Sequence, residues 1–218
     1  MSFIPGMFSA GVAIEADFPT VEGTNITSTS NNATSRTINL PTGIVAGDLL
    51  MVFAMGATTG ANLVMSGWST LYNTTFQSDG TSAVFYKTAV GSDTSTMTSA
   101  NVKVCATAYR ISGWTGTPEA ASAAHGNSNS PDPDSLTPSW GKTNTLWIAA
   151  AHQSMNSGTV SSYPSSYTGG VNGVASDASG GTMGSAHRQL RAVSENPGAF
   201  TMSGSNNWAA RTVAIRPG

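Results

Sequence analysis

Asp48-Leu49-Leu50-Met51-Val52-Phe53-Ala54 is the stretch that decides the fold. The run is apolar at both parities, so a strand built from it buries both faces, as in the interior of a layered β structure. Pro41-Thr42-Gly43 and Gly47-Asp48 supply the turn residues that precede it. Further strands are expected over residues 82–90 and 102–111, each bounded by Gly, Asp, Ser or Asn. That rhythm is the rhythm of an all-β sandwich and not of alternating βαβ units.

The second part of the chain repeats this order 97 to 106 residues later. Leu40-Pro41 answers to Thr137-Pro138, and the run 48–54 answers to Thr145-Leu146-Trp147-Ile148-Ala149-Ala150-Ala151. Ala89-Val90 answers to Ala192-Val193, Thr96-Met97 to Thr201-Met202, and Thr107-Ala108-Tyr109-Arg110 to Val213-Ala214-Ile215-Arg216. The expected fold is therefore an all-β, jelly-roll-like β-sandwich over residues 23–218, made of two pseudo-repeated halves at about 38–114 and 137–217 that face each other as two sheets. Two small tandem sandwiches are the alternative. Residues 1–22 are expected as an extended apolar N-terminal arm, carried by Phe3, Ile4, Met7, Phe8, Val12 and Ile14. Residues 23–36 read as a polar linker or edge strand, 113–139 as a crossover stiffened by Pro131 and Pro133, and 154–185 as a long polar stretch.

Composition narrows the setting. Charged residues make up 9% of the 218, where a soluble domain carries about 25%. Ser, Thr, Gly and Asn together account for 97 positions, so small uncharged polar groups must cover most of the surface. Hydrophobic residues at 39% suffice for a packed core, which argues against a disordered chain. A net charge of −2 without a basic stripe removes the electrostatic footprint that nucleic-acid binding requires. The single cysteine, Cys105, excludes an internal disulfide and a thiolate zinc set. No apolar run approaches the ~20 residues of a membrane span. Pro5, Gly6 and Gly11 interrupt the N-terminus and no basic residue precedes it, so synthesis in a cytosol without export is expected.

Reactive groups are sparse. His125, His152 and His187 show no metal-ligand spacing, and no Gly-x-Ser-x-Gly elbow precedes a helical pattern. Asp132 and Asp134, with Asn127 and Asn129, begin a calcium shell without completing it. No catalytic residue, metal or cofactor is expected. The better handle is aromatic: Trp68, Trp114, Tyr163 and Tyr167 lie among Ser, Gly and Asn and are candidate glycan contacts, their rings suited to stacking on sugar faces.

Leu40-Pro41-Thr42-Gly43-Ile44-Val45-Ala46-Gly47-Asp48-Leu49-Leu50-Met51-Val52, followed by Gly67-Trp68-Ser69-Thr70-Leu71, residues 82–87 and residues 108–113, resembles a module of tailed-bacteriophage virion proteins. That module recurs in tail fibres, spikes and head-decoration proteins. The resemblance implies a β-sandwich used as a structural or adhesive block, homo-oligomeric with a trimer favoured, located on the virion surface after synthesis in the host cytoplasm, and without catalytic residues. Since no coiled-coil or repeat shaft accompanies it, the expectation is a cement-like surface decoration or spike protein, attached to other capsid or tail proteins through its N-terminal arm. The alternative is a tail-fibre or receptor-binding adhesin that binds host-surface glycans; a polysaccharide-active enzyme is a third reading.

Overall fold

The computed structural model describes residues 15–176 and 180–218, which form sixteen β-strands and no helix. The first eight are β1 (Thr20–Thr27), β2 (Ala33–Thr37), β3 (Leu49–Gly56), β4 (Val64–Met65), β5 (Ser69–Phe76), β6 (Gly80–Thr88), β7 (Thr96–Val102) and β8 (Val104–Ser112). The second eight are β9 (Trp114–Ala120), β10 (Ala124–Ser128), β11 (Thr143–Gln153), β12 (Val160–Ser162), β13 (Thr168–Ala175), β14 (Gly181–Ala192), β15 (Thr201–Met202) and β16 (Asn206–Pro217). They make four sheets. Two are large, ordered β1-β8-β3-β6-β5 and β10-β16-β11-β14-β13, with β9 also paired to β16. Two are small, β2-β7-β4 and β12-β15.

The large sheets face each other across one apolar core. Leu49, Met51, Phe53 and Met55 of β3 and Tyr109 and Ile111 of β8 meet Leu146 and Ile148 of β11, Met183 of β14, and Val213 and Ile215 of β16. Phe53 and Tyr109 pack edge to face, with centroids 5.5 Å apart. The opposite parity of β3, Val52 and Ala54, lies with Phe85 and Ala106 beneath Ile38, Leu63, Met65 and Met97 of the outer small sheet and its flanks. Every residue of β3 is buried for this reason, and so its sequence shows no alternation. β11 is covered likewise: Ala149 and Ala151 pack with Phe200 and Met202, and Trp147 with Leu136 and Ala214. The fold is thus an all-β sandwich in which each large sheet carries a further small one on its outer face.

Raising each label of the first large sheet by eight gives β9-β16-β11-β14-β13, the order of the second with β9 and β10 sharing one edge. The ladders agree residue by residue. Leu49 pairs with Ile111 and Thr88, and Leu146 with Ile215 and Gln189. These registers match Thr107 to Arg211, two residues from the alignment read off the sequence, because loop lengths hide the offset within a polar repeat.

Three segments differ from expectation. Residues 113–139 contain β9 and β10, whose partner is the distant β16, so no local pattern marks them. Residues 154–185 contain β12, β13 and the start of β14. Glycine makes β13 look like a loop, yet a Cβ on Gly170 would stand 2.5 Å from the Tyr163 ring, so the glycine permits close packing. Within the expected arm 1–22, the chain is already bound to the fold from Glu15. Glu15 Oε1 pairs with Arg191 Nε at 2.5 Å, the Asn144 amide donates to Ala16 O, and the Gln189 amide donates to Pro19 O. Phe3, Ile4, Met7, Phe8, Val12 and Ile14 lie outside the described residues.

Candidate functional site

The four candidate aromatic contacts do not form one group. Trp68, before β5, packs on the outer core of the first large sheet and has Lys87 Nζ 5.8 Å from its ring centroid. Trp114 opens β9, lies against the central core and donates from Nε1 to Gly47 O at 2.9 Å. Tyr163 packs edge to face on Phe200, with centroids 5.9 Å apart. Tyr167 donates to Glu195 Oε1 at 3.2 Å, and burial followed by the Glu195 charge pushes its phenol up. All four rings are half-buried and engaged with their own chain. Tyr163 and Tyr167 share one cluster; Trp68 and Trp114 do not join it.

Two of these rings sit beside ion pairs at corresponding register. Lys87 Nζ meets Asp93 Oδ1 at 2.6 Å near Trp68, and Arg188 Nη1 meets Glu195 Oε1 at 3.1 Å near Tyr167. Lys87 and Arg188 each precede the strand residue paired with Leu49 or Leu146. Burial raises Asp93, but the Lys87 ammonium and the Val90 and Gly91 amides overcome this and hold its carboxyl below the ordinary range. Arg110 Nε and Asp48 Oδ2 form a third such pair, 2.6 Å apart. Charge is scarce here and much of it is neutralised within the fold.

The sequence did not single out the buried polar set between the large sheets. Ser82 Oγ of β6 lies 2.9 Å from His152 Nδ1 of β11. Arg211 of β16 stacks 4.0 Å above the Tyr72 ring of β5, and donates to Thr74 Oγ1 at 3.0 Å and Ala121 O at 2.9 Å. Burial, then the nearby Arg211 charge, lowers His152 to about 3, and burial pushes Tyr72 up to about 12. A Ser–His contact invites a hydrolytic reading, but Ser82 and His152 are each 1% exposed, so no substrate reaches them. The available signal was Arg211, a lone charge inside the apolar run of β16.

Surface clefts mix polar and apolar lining. One of about 410 Å³ is lined by Thr58, Asp79, Ser154 and Asn206, and another of about 460 Å³ by Asn25, Asn39, Asp93 and Thr96. Each holds a single carboxylate, and both are already bonded, Asp79 to the Asn207 amide and Asp93 to Lys87. Asp132 and Asp134 are exposed, and among the described residues no three of His, Cys, Asp and Glu are placed to hold a metal ion. Cys105 is fully buried, which pushes its thiol up to about 12. No described helix is long and apolar enough to cross a membrane. No family model, curated protein or solved structure matches the chain.

Proposed function

We propose that this protein is a bacteriophage virion structural protein, a decoration or spike block on the particle surface that works by contact and not by chemistry. The observation that carries the reading is the strand order. In the first half the first, eighth, third, sixth and fifth strands form one sheet and the second, seventh and fourth the other; the second half repeats this with β12-β15 as its small sheet, while β10 pairs with β16 in the large one. In the second half the place of β2 is taken by residues 129–131, whose carbonyls accept from Met202 N and Phe200 N. The succession first, eighth, third, sixth is shared with a jelly roll, although the fifth strand extends the larger sheet instead of joining the smaller, and we read the chain as two fused jelly-roll-like halves with their larger sheets face to face. Viral capsid and lectin domains use this architecture, and the step from fold to virion is one of analogy, joined to the motif resemblance over residues 40–113.

Paired charges, a hydroxyl- and amide-rich exterior and a reactive set sealed in the core suit a rigid block. The N-terminal attachment arm expected over residues 1–22, through its apolar residues Phe3 to Ile14, and a trimeric state belong to the same proposal. The reading as a glycan-binding adhesin is weaker, because Trp68, Trp114, Tyr163 and Tyr167 are committed to internal packing and form no shared platform. Quantitative mass spectrometry of gradient-purified particles from a host carrying the gene tests the proposal. The protein is expected in the particle band at fixed stoichiometry to the coat protein; recovery wholly in the particle-free fraction would refute it.

A further inference from the structure

The two large sheets pack reciprocally. β1 lies against β13, and the two residues just beyond it continue the contact through the Thr29–Ala175 bridge and the Ser28 hydroxyl, which accepts from Val174 N, while β5 lies against β9 and β16. First strand on fifth and fifth on first is the arrangement of a two-fold dimer. A surface of this kind would equally accept two copies of the same half, unless its side chains forbid it.

They do forbid it. By ladder register, Ser82 corresponds to Met183, Met55 to His152, Thr107 to Arg211, Tyr109 to Val213 and Val84 to Ser185. Tyr72 corresponds to Val171 and Thr74 to Gly173. Across the native interface Tyr109 OH meets Ser185 Oγ at 2.6 Å, Ser82 meets His152, and Arg211 meets Tyr72 and Thr74. Two second halves paired together would set Arg211 against Val171 and Gly173, His152 against Met183, and Ser185 against Val213. A buried guanidinium would lose the ring and hydroxyl it holds, and an imidazole would face a thioether. Two first halves would set Tyr109 against Val84 and Ser82 against Met55 and Thr107, leaving a phenol and a hydroxyl without their native partners.

We propose that this inner face is a recognition surface whose fitted partner is the unlike half, so that a second copy of this chain can exchange halves only as residues 20–112 with residues 114–217, never like with like. The sheet geometry does not require a polar pair where Ser82 meets His152, since the equivalent positions, Met183 and Met55, are filled by methionine in the other half. Their work is to exclude the wrong partner. This inference is independent of the virion reading.

The test uses the full chain. His152→Met with Arg211→Thr gives the second half the residues of the first at those positions. After unfolding and refolding at high concentration, followed by size-exclusion chromatography with light scattering, wild type is expected to return to its starting distribution. The variant is expected to form at least tenfold more interchain dimer or larger species. A folded variant that refolds with the wild-type distribution overturns the proposal. Should the variant not fold, a double-mutant cycle in urea on Tyr72→Leu and Arg211→Thr decides. Coupling of at least about threefold in the unfolding constant is expected, and strict additivity overturns the proposal.

Discussion

His152 carries a pH dependence that can be worked out in advance. Its side chain is 1% exposed, and burial, then the Arg211 guanidinium, lowers its pKa from 6.5 to about 3. Between those values the unfolded chain binds a proton that the folded chain refuses. Stability from this group is therefore complete above pH 6.5 and drains away as the pH falls toward 3. One unit is worth about 1.4 kcal/mol, so two units of acidification, to pH 4.5, remove roughly 3 kcal/mol. His187, half-buried and also lowered by desolvation, and Asp93 act in the same direction, so wild type alone does not isolate the effect. His152→Met does, because methionine already fills the equivalent site at position 55. Urea unfolding at pH 7 and 4.5 is expected to show wild type losing roughly 3 kcal/mol more than the variant. The variant starts lower at pH 7, since Ser82 loses its partner at a cost of about 1–3 kcal/mol. Parallel pH profiles for the two proteins would refute the assignment of His152 as a buried neutral imidazole.

Other expectations concern single positions. Cys105, with its thiol pushed up to about 12, should resist a thiol reagent at pH 8 in the native protein and react stoichiometrically in urea; rapid native reaction would contradict its burial. Gln77 and Ser78, in the turn 77–79 between β5 and β6, have φ of 44° and 62°, where Asn-Gly is the usual solution. Ser78→Gly should thus stabilise the protein by about 1 kcal/mol in thermal or urea unfolding, and a loss of stability would refute the strain. Tyr167→Phe removes the hydrogen bond to Glu195, which is 7% exposed, and should cost about 1–2 kcal/mol; a neutral change would mean that Arg188 alone satisfies that carboxylate.

Legibility followed burial. The run 49–54 and its counterpart 146–151 stand out because each strand is covered on both faces, which only an apolar segment tolerates. β9, β10, β12 and β13 were hidden because they lie at sheet edges or under thin cover, where Thr, Ser, Gly and Asn suffice and local grammar resembles a loop. Trp68, Trp114, Tyr163 and Tyr167 drew attention through polar neighbours in sequence, yet their neighbours in space are core residues. The set made by Ser82, His152, Arg211 and Tyr72 joins four strands separated by up to 139 positions, and only the packing of one large sheet on the other reveals it.

The most direct measurement is an electron cryomicroscopy map of the particle produced by a host carrying this gene. External density is expected that fits the four-sheet body, with the end near Glu15 and Arg191 turned toward the coat or tail. A well-resolved particle lacking that density, or density with the Glu15 end pointing into solvent, would contradict it.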